Sequence, residues 1–133
     1  MTAQKSPCGA YFPYYFKGGE LFGWHLGSFF ADEEAVIARM KSEELFFTQQ
    51  NRRIGVWLDL YQTRLTPRVI SELVALLTRV HGLITKLGLV GCSWRDKRSI
   101  GNLIKKTPGL SSLPVRFFDD PEDAKSWLVG ELH

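Results

Sequence analysis

The run Ile54, Gly55, Val56, Trp57, Leu58, Asp59, Leu60 is nearly continuously apolar, and a polar loop and a helix start follow it at once. A run that short, with no side to give to water, suits a strand covered on both faces, as parallel strands are when helices cross over a sheet. After a loop over residues 61–65, Thr66 can cap a helix with Pro67 in its first position, where the missing N–H costs nothing. Val69, Ile70, Leu73, Val74, Leu77, Val80 and Ile84 then recur at helical spacing, and Gly82 can end the helix in a left-handed conformation. A buried strand feeding a long amphipathic helix is a βα unit, and the rest of the chain is read around it.

Upstream, residues 10–16 and 21–29 are aromatic-rich runs separated by Lys17-Gly18-Gly19-Glu20, the pattern of a β-hairpin. Pro13 cannot donate a ladder hydrogen bond, which places its strand at a sheet edge. Tyr11, Phe12, Tyr14, Tyr15 and Phe16 are too many for one buried face, so some are expected against a helix and others against a partner chain, including a second copy. Asp32, Glu33 and Glu34 start a helix whose stripe is Ala35, Val36, Met40, Leu45 and Phe46, with a break expected near Ser42. Downstream, residues 86–90 and 114–118 are short buried strands. Between them Ser93 and Asp96 have capping-box spacing ahead of Ile100, Leu103 and Ile104, and Thr107-Pro108-Gly109 stops that helix. Asp120-Pro121 opens a last helix with Ala124, Trp127 and Leu128 inward. The order β-β-α-β-α-β-α-β-α predicts an α/β fold: one mixed, mostly parallel sheet with an N-terminal hairpin, four helices and right-handed crossovers.

A chain of 133 residues, 44% hydrophobic, can build one core, so residues 10–133 are expected as a single domain and residues 1–9 as a flexible tail. No apolar run nears the roughly 18–20 residues of a membrane span, and residues 1–7 lack the apolar core of a signal peptide, which predicts a soluble, cytoplasmic protein. Cys8 and Cys92 have neither the number nor the spacing of a metal site or disulfide framework. The net charge is +3, but Lys86, Arg95, Lys97, Arg98, Lys105 and Lys106 are opposed locally only by Asp96. Such a face is either solvated or drawn to an acidic partner. Without aromatics interleaved on a strand face it is not expected to bind nucleic acid.

Ligands of open α/β sheets bind beyond the carboxyl ends of the strands, against helix N-termini. Here that rim consists of Asp59, Tyr61, Gln62, Thr63, Arg64 and Thr66 after one strand and Cys92, Ser93, Trp94 and Arg95 after the next, with Asp119 and Asp120 after the last. A catalytic Cys92 needs a nearby histidine, and none is well placed: His25 lies in the hairpin, His81 at the far end of a helix and His133 at the terminus. There is no Gly-x-Ser-x-Gly elbow, and Gly88-Leu89-Val90-Gly91 is not a nucleotide fingerprint. No enzyme, metal or cofactor is expected.

Val56-Trp57-Leu58-Asp59-Leu60, the amphipathic helix after it, Leu87-Gly88-Leu89-Val90-Gly91, and the ending Asp119-Asp120-Pro121-Glu122-Asp123-Ala124-Lys125-Ser126-Trp127-Leu128 together resemble the STAS superfamily, in particular its stage II sporulation protein AA-like group. The resemblance implies a regulatory module that binds a protein partner through the strand-end rim. Anti-sigma-factor antagonists of that superfamily carry a phosphorylatable serine in this loop. Residues 61–68 lack their Asp-Ser-Ser-Gly-like motif and offer only Thr63 and Thr66 as hydroxyls that could stand in for that serine. Some members share their fold with Sec14-type lipid carriers, which implies the alternative of a small apolar or anionic ligand at the same rim.

Overall fold

Four parallel strands and an antiparallel edge strand make the central sheet of the computed structural model, which describes residues 3–130. The elements are β1 (Gln4–Lys5), β2 (Tyr11–Phe12), β3 (Tyr14–Phe16), β4 (Gly19–His25), α1 (Glu33–Gln50), β5 (Ile54–Asp59), α2 (Pro67–Val80), β6 (Ile84–Val90), α3 (Trp94–Lys106), β7 (Val115–Phe118) and α4 (Pro121–Leu128). The sheet order β3-β4-β5-β6-β7 is strictly sequential. The hairpin pair β3 and β4 is antiparallel, and β4 through β7 are parallel. This is the expected α/β architecture, with a small pair, β1 and β2, added in front.

Sequential order with crossovers of one hand puts α1, α2 and α3 on the same side of the sheet. The packing shows this: Phe22 and Trp24 of β4, Val56 and Leu58 of β5, and Leu87 and Leu89 of β6 share one core with Val36, Met40, Leu73, Leu77, Ile100 and Ile104 of the helices. The alternate strand residues face the other way. There Leu21, Trp57, Val90 and Phe118 meet Ala124 and Leu128 of α4, the one helix on that side among the described residues. Alternation is therefore present in β5, but both phases are buried, as the unbroken apolar run required.

The capping chemistry forms largely as read. Thr66 accepts from the Val69 amide and Ser93 from that of Asp96, each at the start of its helix. Asp32 and Asp120 do the same for α1 and α4. Gly82 differs: α2 passes into a 3-10 turn, His81–Leu83, and enters β6 directly, so no left-handed cap is used.

Three further expectations are corrected. Pro13 does more than mark an edge: it divides residues 10–16 into β2, which pairs with β1, and β3, which pairs with β4. Helix α1 is unbroken at Ser42. Its buried stripe is Val36, Ile37, Met40, Glu43 and Phe47, while Leu45 faces solvent. The spacing is helical throughout, and a buried acid in the middle of it disguised the stripe. Of residues 1–9, expected as a flexible tail, Met1 and Thr2 lie outside the described residues and the remainder is built into the fold. Glu43 explains why. Its carboxylate, fully buried, accepts from the Cys8 amide at 3.1 Å and from the Cys8 thiol at 3.1 Å, which fastens the N-terminal segment onto α1. The Cys8 thiol also reaches the Gly23 carbonyl at 3.8 Å, on the edge of β4 that β3 is too short to cover.

Candidate functional site

Beyond their last paired residues, β4 and β5 do not part. The Leu26 amide donates to the Asp59 carbonyl, Ser28 to Tyr61 and Phe30 to Gln62, at 2.7–2.9 Å, and the Arg64 amide donates back to Phe30 at 2.7 Å. On the other side, the Leu60 amide donates to the Val90 carbonyl at 2.9 Å. Two glycines permit this closeness: a Cβ on Gly27 would stand 2.8 Å from the Tyr61 carbonyl oxygen, and one on Gly91 2.8 Å from the Tyr61 amide nitrogen. A strictly sequential sheet has no point where the strand order reverses, and it is at such reversals that neighbouring loops diverge to open a crevice. The strand-end loops here are zipped together instead.

Asp59 and Thr63 hold the zipper from inside. Asp59 accepts the Tyr61 amide at 3.1 Å, and its other oxygen lies 3.7 Å from His25 Nδ1. Burial pushes the Asp59 carboxyl up, but the His25 contact and the Tyr61 amide outweigh it, and the group sits below the usual carboxylate value. Thr63 donates to the Leu26 carbonyl at 2.7 Å and accepts the Phe29 amide at 3.2 Å. Thr66, besides capping α2, donates to a Glu33 carboxylate oxygen at the start of α1.

The side chains that face outward from the zipper are large. Phe30 is 60% exposed, Tyr61 59% and Trp94 69%, one from each of three adjoining strand-end segments. Arg64 and Arg95 are exposed beside them, and neither has an acidic partner among the described residues. Phe30 and Gln62 hold left-handed backbone, both at φ 53°, and Ser28 does so at φ 65°. A bulky residue in that region costs of order 1–3 kcal/mol, and Phe30, more than half exposed, recovers little of it by burial.

Of the ten rim residues expected from the sequence, Asp59, Thr63 and Thr66 are structural ties, while Tyr61, Gln62, Arg64, Ser93, Trp94 and Arg95 are exposed on the rim. Cys92 is buried, and burial, followed by the Asp96 charge, pushes its thiol up to about 12, so it is a protonated thiol at neutral pH. His25 is engaged with Asp59, and His133 lies outside the described residues. Asp119 is exposed and pairs with Lys97 at 3.4 Å, and Asp120 caps α4. Phe30 and the His25–Asp59 pair were missed by sequence reasoning. The first sits just before the Asp32 cap, where a second apolar residue after Phe29 is a usable signal. The second joins residues far apart in the chain, and only the parallel register of β4 with β5 brings them opposite each other.

Comparison with family models, with curated proteins and with solved structures finds no match for this chain. Among the described residues no cluster of His, Cys, Asp and Glu could hold a metal ion, and no helix is long and apolar enough to cross a membrane.

Proposed function

We propose that the protein is a non-enzymatic interaction module of the STAS-like type, which binds a protein partner through its strand-end rim. What carries this reading is the exposure of Phe30, Tyr61 and Trp94 on adjoining loops beside Arg64 and Arg95, which have no acidic partner among the described residues. Aromatic residues and arginine are the types that dominate binding energy at protein interfaces, and a rigid backbone beneath them lowers the ordering cost of association. The loop zipper supplies that rigidity. The buried Cys92 thiol, held near 12, supports the non-enzymatic part of the reading.

The same geometry weighs against a phosphate switch at Thr63 or Thr66. Both hydroxyls are committed to holding loops or helix ends, so phosphorylation there would have to break the rim before it could signal.

Affinity capture from native cells, comparing the wild type with Trp94→Ala, Arg64→Glu and a remote control, Lys105→Ala, tests the proposal. The two rim variants should lose a specific partner by about tenfold or more while the control retains it. An identical set of captured proteins from all four would sink it. Phe30→Gly adds a sharper arm: it relieves the left-handed backbone and should raise stability by about 1 kcal/mol while weakening the partner.

A further inference from the structure

The side of the sheet covered by α4 is covered only in part. Helix α4 has eight residues and seats itself over β5 and β6, where Gly55 lies under Leu128 and Gly88 under Ala124. Toward β4 and the N-terminal segment there remains a cavity of about 170 Å³. Its wall is Trp57, 6% exposed, whose indole leans onto β4 at Gly23; a Cβ there would stand 2.7 Å from the indole nitrogen. His25 stands edge-on to the Trp57 ring at 5.3 Å and an interplanar angle of 87°. Tyr11 and Tyr14 line the mouth.

One charged group is set into this wall. Lys125 of α4 lines the cavity, with its Nζ 5.5 Å from the centre of the Tyr14 ring, 5.7 Å from that of Phe16 and 5.7 Å from that of Trp57. Its side chain is 16% exposed, and its carboxylate partner is Glu122 at 3.3 Å, itself 64% exposed. An ammonium carried on a mostly buried side chain, and opposed among the described residues by one solvated carboxylate, has capacity left for a second anion. The rings fix its position but supply no countercharge that a ligand would have to displace. Two carboxylates neighbour lining residues, and both are already engaged: Asp59 with His25 and the Tyr61 amide, and the buried Glu43 with the Cys8 amide and thiol.

We infer that this cavity is a binding site for a small aryl carboxylate, its ring against Trp57 and its carboxylate on Lys125. The size agrees: a cavity of roughly 150 Å³ takes up benzene, so one ring with a short acidic substituent is the scale admitted here. A cationic ligand is disfavoured because the ring cluster already holds an ammonium. The site is separate from the rim aromatics and does not depend on the partner-binding reading.

The test is a titration of the full chain with benzoate, benzamide and benzylamine, read by the Trp57 indole N–H resonance and assigned with Trp57→Phe. Benzoate should shift it saturably in the millimolar range, benzamide should bind about tenfold more weakly, and benzylamine should leave it unmoved. Lys125→Met, which keeps an apolar stem against the rings, should bring benzoate and benzamide within about twofold of each other. Glu122→Gln acts in the opposite direction and should tighten benzoate a few-fold, since it frees the ammonium from its solvated partner. A Trp57 resonance unmoved by benzoate at about 10 mM overturns the site. Equal affinity for benzoate and benzamide in the wild type, or an unchanged preference in Lys125→Met, overturns the assigned chemistry. The dispersed spectrum of each variant reports that it has folded.

Discussion

The two sides of the sheet are built on opposite plans. The side under α1, α2 and α3 presents Phe22, Trp24, Val56, Leu58, Leu87 and Leu89, and its chemistry is uniform burial. The side under α4 presents Gly23, His25, Gly55, Trp57, Asp59 and Gly88 from neighbouring strands. Glycines there let a short helix and an indole approach the backbone, and the polar groups lie where the helix does not reach. One strand thus serves stability and chemistry at once, in alternate residues. Leu58 and Trp57 are adjacent in sequence and belong to different cores.

The largest effect is expected on the helix-covered side. Leu58→Ala leaves a cavity in the middle of three layers and should cost about 3 kcal/mol in urea unfolding, with an unchanged denaturant slope. A loss below about 1 kcal/mol would mean that this side is loosely packed and the contrast false.

Next come the glycines, which separate close approach from mere smallness. Gly23→Ala drives a Cβ into the rigid Trp57 indole and should cost about 2 kcal/mol. Gly88→Ala meets Ala124 at an ordinary 3.6 Å and should fall within about 0.5 kcal/mol of the wild type. If the two variants melt together, the glycines of this side have no positional meaning.

Glu43 is the polar exception on the helix-covered side. Glu43→Ala leaves the Cys8 amide without its acceptor and should cost about 1–2 kcal/mol. It should also speed alkylation of Cys8 several-fold in the folded protein, because burial and Glu43 hold that thiol above its usual value. Cys92, whose thiol stands near 12, should stay protected in the same experiment. Equal labelling of Cys8 before and after the substitution would show that the N-terminal segment is not held by Glu43.

The smallest effect is electrostatic and belongs to the α4 side. Asp59 has a folded-state carboxyl below its ordinary 3.8, so its contribution is complete above that value and is lost as pH falls through the lower folded value. Asp59→Asn should flatten the acid limb of the stability curve in that window and leave the neutral limb parallel to the wild type. A variant curve with an unchanged acid limb would remove His25 and the Tyr61 amide as the cause of the shift.

Much of this was legible along the chain. The apolar run at residues 54–60, the helical spacing from Val69 to Val80 and the cap at Thr66 stand in the structure as read, because each depends on neighbours within a few residues; Ile84, read as the end of the same helical stripe, instead opens β6. The alternation of elements determined a mostly parallel sheet. Where a local pattern was interrupted, reading failed. Glu43 broke a stripe that is geometrically continuous, and Pro13 split a run that composition made uniform. The residues read as the rim lie at the strand ends, but the shape they make there was not legible along the chain. That the rim's loops are zipped shut follows from the sequential strand order and from backbone bonds between residues thirty or more positions apart. The cavity beside Trp57 was beyond local pattern altogether. It needs the length of α4, the register of β4 on β5 and a glycine opposite an indole, which only tertiary packing sets together. Short-range chemistry determined the elements, and the faces they share were decided by how those elements pack.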